Sequence, residues 1–299
     1  MARRRRGNKL NGWIVLDKPA DMTSNAALGA VKRLVKPQKA GFAGTLDPLA
    51  TGILPIGLGE ATKAMAFIVD NTKTYDFTIA WGEARDTLDR DGQVTETGGA
   101  TPTAPAIEAH LDDFVGTIDQ VPPAFSAIKV DGRRAYDLAR EGEIVELEAR
   151  PVEIDSLELV EHNDVEGWSR LEMSCGAGTY VRSLARDLAE ALGTLGHVSA
   201  LRRTSVGPFD ESQAISLEKL EALSHSAPPE EIPLPVMTAL ADIPALAVTE
   251  GEADRVRHGQ GLRLPTTQEG LVRIVRGEGL IAVAECWSGE AQPVRVFNL

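Results

Sequence analysis

The chain has 299 residues, is 43 % hydrophobic and carries a formal net charge of -13, with 31 Lys and Arg against 44 Asp and Glu. Such a length and apolar content predict a folded, soluble protein with one large domain and a small one, each around its own core. No apolar run reaches the roughly 18 residues of a spanning helix, and "MARRRRGNKLNGW" has charge without a signal core, so a cytoplasmic location and no membrane partner are expected.

In chain order, "GWIVLDKP" (12–19) reads as a strand closed by proline. "TSNAALGAVKRLVKP" (23–37) reads as a helix capped by Thr23 or Ser24, with an apolar stripe at Ala27, Val31 and Val35 and a stop at Pro37. "GILPIGLG" predicts a short strand, "ATKAMAFIVD" a helix and "KTYDFTIAWG" a strand with alternating faces. Next come "AFSAIKVDG" (strand and turn), "RRAYDLAREG" (helix), the strands "RPVEIDSLELVEHND" and "WSRLEMSCG", and "TYVRSLARDLAEALG", a helix ending at Gly193. With few β-α-β repeats, this order implies an α+β fold with a mixed or antiparallel sheet and flanking helices.

"SHSAPPEEIPLP" (224–235) is proline-rich and acidic and reads as a linker. Beyond it, "TEGEADRVRHG" reads as a helix and "GLRLP", "GLVRIVRG", "GLIAVAECW" and "PVRVFNL" as short strands of a small β-rich barrel. The expected organisation is a basic tail (1–9), a catalytic domain (10–223), a linker (224–238) and a terminal β domain (239–299).

Net acidity speaks against a nucleic-acid partner, because Lys and Arg carry phosphate binding. Charge is unevenly placed, however. Arg3 to Arg6, Lys9, Lys18, Lys32, Arg33, Lys36, Lys39 and Lys63 make the first 63 residues basic, and a local basic face can coexist with an acidic whole. Arg3 to Arg6 fit either a solvated tail or an arm that touches RNA. Cys175 and Cys286 lie far apart and the five histidines do not cluster with them, so neither a metal site nor a disulfide is expected.

In "GFAGTLDPLATGILPIGLGEATK" (41–63), Gly41 and Gly44 permit backbone angles that a Cβ forbids, and Pro48 keeps Asp47 out of helical geometry. Asp47 therefore sits on a held turn, either as a turn-stabilising residue or as a reactive carboxylate. "GLGEATK" lacks P-loop spacing.

The stretch 41–63 resembles the catalytic motif of the TruB family of tRNA pseudouridine synthases. "GWIVLDKPADMTS", "KTYDFTIAWGEARDTLDRDG", "QVPPAFSAIKVDGRRAYDLAREG", "CGAGTYVRSLARDLAEALG" and "HVSALRRTSVGPF" resemble further motifs of that family, and the terminal β domain is similar to its PUA-type RNA-binding module. The resemblance implies the pseudouridine synthase fold and isomerisation of the uridine at position 55, in the T loop of tRNA, without cofactor or metal and by a monomer. It makes Asp47 the nucleophile, with attack at the sugar C1′, at the base C6 or through a glycal route all open. Arg182 would keep that carboxylate ionised. Tyr75 would stack on the flipped uracil or deprotonate it at C5, while Tyr180 lines the pocket and Leu201 touches the base. Lys18 and Lys63 would face phosphate or support the site. Phe42 stands where the family usually has histidine, which retains an aromatic face and removes a titratable ring. Two other readings remain. One is an RNA-binding or tRNA-folding protein on the same scaffold with little turnover. The other is a glycoside hydrolase, which would need a second carboxylate such as Asp17, Asp86 or Asp89.

Overall fold

A computed structural model describes residues 7–69, 71–126, 128–130, 132–141 and 147–299 and shows an α+β chain. Arg3 to Arg6 lie outside the described residues. The chain forms two compact units. One holds the residues up to Asp47, Ile53–Val69 and Val206–Leu299; the other holds Pro48–Gly52 and the chain that follows Val69 as far as Ser205.

In the first unit, strand Gly12–Lys18 is buried at six of its seven positions, as its unbroken apolar run requires. Trp13 exchanges backbone hydrogen bonds with Leu234, each 2.8 Å, and Asp17 N donates to Ile215 O. Helix Ser24–Val35 begins where predicted, with the Thr23 side chain accepting from Ala26 N. It ends on Lys36 in the left-handed region (φ 48°), just before Pro37. Ala27, Val31 and Val35 are its buried stripe. Trp13, Ile53, Ile68, Phe209, Val283 and Phe297 share one core, in which the Trp13 and Phe209 rings meet at 5.4 Å. The terminal five-stranded sheet runs in the order Ala245–Ala247, Gly270–Arg276, Gly279–Trp287, Glu290–Val296, Leu262–Arg263. A core of its own joins Val272, Ile274, Ala282 and Cys286 to Val256 of helix Glu250–Arg257, whose start is fixed by a Thr249–Glu252 capping box.

The segment read as a linker carries order. Helix Leu217–Ser226 extends into it, Leu234 pairs with Trp13 and packs against the core, and Val236 is a core residue. Its prolines were legible, but its apolar residues find partners far away in sequence. A second difference concerns "ATKAMAFIVD", which forms a 3₁₀ turn Gly59–Lys63 and one helical turn Ala66–Val69 instead of one helix.

The second unit is built on an antiparallel sheet in the order Gly196–Val206, Lys73–Trp81, Trp168–Cys175, Arg150–Asn163, Gly116–Gln120. The predicted alternation of the Lys73 strand holds, with Lys73, Tyr75, Phe77, Ile79 and Trp81 buried. Helix Val181–Ala191 packs on that strand. Thr51 and Gly52 run parallel to Arg202 and Arg203. Gly52 has φ +96°, and a Cβ there would lie 2.2 Å from Arg203 O, so the position admits only glycine. Helix Ala104–Leu111 and strand Gly116–Gln120 fall in a stretch for which no element is predicted above.

Candidate active site

Asp47 is half-buried and follows the strand Ala40–Phe42, in which Phe42, also half-buried, opposes Ile56. Between them Gly44 takes φ 73°, reversing the chain where a side chain would resist. The residue before Asp47 is held from outside the turn. Ser24 Oγ donates to Leu46 O at 3.0 Å and accepts from Leu46 N at 2.9 Å, and both residues are buried. One hydroxyl thereby satisfies both backbone groups of Leu46 and fixes the peptide that carries Asp47. The first turn of the capped helix and the turn of the "GTLDP" motif are thus one local structure.

Lys18 is fully buried, and its Nζ donates to the carbonyls of Pro19 (2.8 Å) and Met22 (2.7 Å), which fold the loop that leads to Ser24. Lys63 Nζ donates to Glu60 Oε2 at 2.7 Å and to Val296 O at 2.8 Å; Glu60 Oε2 also accepts from Asn298 N at 2.6 Å. Burial acts to raise the Glu60 carboxyl, but the Lys63 hydrogen bond, the Asn298 amide and the charges of Lys63 and Lys39 outweigh it, holding the group below its ordinary value. Lys63 therefore ties the end of the chain to the 3₁₀ turn after "GILPIGLG".

In the second unit, Arg182 is the second residue of helix Val181–Ala191 and is 4 % exposed. Its Nη1 donates to Thr87 O at 2.8 Å and its Nη2 to Phe125 O at 3.0 Å, while Asp89 Oδ2 lies 3.5 Å from Nη1. Asp89 is buried and is itself held by Thr87 Oγ1 (2.6 Å) and Asp91 N (3.1 Å). Three sequence motifs, "GEARDTLDRDG", "PPAFSAIK" and "GTYVRSL", thus converge on one guanidinium. Tyr180 precedes Arg182, and the side chain of buried Gln120 accepts from its N–H (2.8 Å) and donates to its carbonyl (3.2 Å). The helix start is therefore anchored by a neighbouring strand, since Tyr180 offers no side-chain cap.

Tyr75, at 9 % exposure, lies on the Lys73 strand beside the strand that carries Leu201, itself 8 % exposed. Their strands are joined by Thr74 Oγ1, 2.6 Å from Thr204 Oγ1 and 2.7 Å from Ser205 Oγ. Arg203 is 1 % exposed and hydrogen-bonded to the Tyr75 side chain. Burial pushes its guanidinium down, and the Tyr75 contact acts in the opposite direction. Period-two alternation puts Arg203 on the same face as Leu201, so its place was legible in "ALRRT" although it had no assigned role. Asp89, Gln120 and Arg203 are the functional candidates that the sequence reading did not single out for these positions. Asp89 entered only as a possible second carboxylate, and Gln120 had no signal.

Among the described residues, no group of three or more His, Cys, Asp and Glu side chains is placed to hold a metal ion. No described helix is long and apolar enough to cross a membrane.

Residues 32–181 match the family model described as TruB family pseudouridylate synthase (N terminal domain), and residues 182–241 match that of the tRNA pseudouridylate synthase B C-terminal domain. The tRNA pseudouridine synthase B of Caulobacter sp. (strain K31) is 52 % identical over 310 residues, and that of Caulobacter vibrioides 53 % over 310 residues; each alignment covers the whole of both chains. In fold, the chain is similar to a solved structure of a Cbf5-Nop10-Gar1 complex. The TM-score is 0.74 at 24 % identity, over 96 % of this chain and 84 % of that one.

Proposed function

We infer the chemistry of this chain from one premise: it belongs to the TruB family of pseudouridine synthases. It is an isomerase that converts uridine in tRNA to pseudouridine. The finer reading, which is ours, is that it acts on the uridine at position 55 in the T loop, working as a monomer in the cytoplasm. Residues 10–223 carry the chemistry, and residues 239–299 serve as a PUA-like module that holds RNA, joined through 224–238.

The isomerisation breaks the bond from C1′ to N1, turns the base and joins C1′ to C5. N1 gains a proton and C5 gives one up, so the formula is unchanged and no cofactor is called for. A base inside its stack cannot turn, so the uridine must be flipped out. Asp47 supplies the nucleophile, at C1′ or C6 or in support of a glycal route. Arg182 supplies a fixed positive charge; its two carbonyl partners and Asp89 leave it little freedom to reorganise, which is how a pre-set charge acts most strongly. Tyr75 stacks on the uracil or takes the C5 proton, Tyr180 and Leu201 line the base pocket, and Phe42 offers an aromatic face. Lys18 and Lys63 support the site through the carbonyls they hold.

The observation that carries the nucleophile assignment is the Ser24 clamp on Leu46, which spends a buried hydroxyl on holding the backbone beside one carboxylate. Asp47→Asn should abolish pseudouridine formation on an unmodified tRNA transcript while tRNA affinity stays within about two-fold, because phosphate contacts carry most of that affinity. Substantial turnover by the variant would remove Asp47 from the reaction. Turnover by the wild type also decides against a binding protein on the same scaffold.

A further inference from the structure

Arg203 is a fully buried guanidinium for which the reaction described above has no use. Burying such a group is unfavourable unless hydrogen bonds and charge compensate. Tyr75, the residue assigned to the uracil, is one of its hydrogen-bonding partners. Guanidinium nitrogens only donate, so the phenol oxygen is the acceptor in this bond.

The backbone around the pair is fixed on both sides. Thr74, just before Tyr75, and Thr204, just after Arg203, bring their hydroxyls to 2.6 Å on the opposite sheet face, which locks the register of the two strands at this point. On its other side Arg203 runs alongside Gly52, whose lack of a Cβ leaves room for the Arg203 carbonyl. Neither residue of the pair can drift along its strand. A tyrosine that must meet a flipped base gains from a ring held in one orientation, and a donor on its hydroxyl supplies that hold while favouring electron density on the oxygen.

We propose that Arg203 is the positioning residue of Tyr75: the buried guanidinium fixes the phenol through its hydroxyl, so that the ring is set for the uracil before tRNA binds. The proposal rests on the role assigned to Tyr75 above. It differs from a purely structural role for Arg203 in one respect. Its effect on rate passes through a single oxygen atom and vanishes when that atom is removed.

A double-mutant cycle on the full-length protein tests it, with single-turnover pseudouridine formation and equilibrium tRNA binding measured for Tyr75→Phe, Arg203→Met and the double variant. Both single variants should be slower by about 30-fold or more, and the double variant no slower than the worse single within about three-fold. Affinity for tRNA should change by no more than about two-fold, because the pair contacts no phosphate. Arg203→Lys, which retains a charged donor, should recover activity to within about ten-fold of wild type. Should Arg203→Met fail to fold, the cycle is run with Arg203→Lys, whose slowing should disappear in the Tyr75→Phe background. Losses that multiply, or an affinity that falls in step with rate, would overturn the assignment of Arg203. A Tyr75→Phe variant at wild-type rate would instead overturn the role of Tyr75 itself, and the two failures are therefore told apart.

Discussion

Ser24→Ala removes one oxygen atom from a site 2 % exposed and orphans two backbone groups, the N–H and the carbonyl of Leu46. An unsatisfied buried polar group costs about 1–3 kcal/mol, so the pair should cost roughly 2–6 kcal/mol if no water enters. At about 2–4 °C per kcal/mol, the thermal midpoint should fall by roughly 4–24 °C. The loss should not be confined to stability. Leu46 is bonded directly to Asp47, and a released peptide lets the carboxylate sample positions that do not react, so single-turnover pseudouridine formation should slow by about ten-fold or more with little change in tRNA affinity. Scanning calorimetry reads the first quantity, and a single-turnover assay at saturating enzyme the second. Ser24→Thr, which keeps the hydroxyl, should retain more of both. A Ser24→Ala protein that melts within about 1 °C of wild type and reacts at its rate would refute the clamp, since two buried orphans cannot cost so little.

Asp89→Ala should slow turnover strongly and lower the thermal midpoint, because it leaves the buried Arg182 guanidinium without its carboxylate at 3.5 Å, a loss on the order of 3–5 kcal/mol for a buried pair; a midpoint unchanged in calorimetry would contradict this. Glu60→Gln should destabilise the protein at neutral pH and not in acid. The folded Glu60 carboxyl is held below its ordinary value of 4.5, so its contribution is present above that pH and is lost as the pH falls through the folded value. Melting curves of wild type and variant should therefore converge in acid, and a difference that persists or grows there would reverse the sign of the linkage.

Two features of the packing alter how the terminal β domain can be studied. Leu280, Val283 and Phe297 belong to the core that holds Trp13 and Ile53, and Lys63 and Glu60 grip the backbone at Val296 and Asn298. A chain cut near residue 240 would expose that core, so loss of activity after such a deletion would report on folding as much as on RNA binding. Point substitutions on the surface of the terminal sheet are the sounder test of its proposed part in holding tRNA.

Local order was written in the sequence wherever a short-range rule governs it. Thr23 and Pro37 bracket the first helix, the alternation of "KTYDFTIAW" assigns Tyr75 to the buried face, and the glycines around Asp47 mark its turn. The motif resemblance added the family and its reaction, which no periodicity contains. What the sequence could not show depends on partners brought together over long separations. Ser24 reaches Leu46 across 22 positions, Arg182 meets Thr87 across 95, and Tyr75 and Arg203 meet on neighbouring strands that lie far apart in the sequence. Asp89 could be named only by type, as a carboxylate, and "PPEEIPLP" only by composition, as a linker, because the value of a carboxylate or an apolar side chain is set by what it is buried against. Only the folded chain decides that, since burial makes each unmet hydrogen bond or charge costly enough to select its partner.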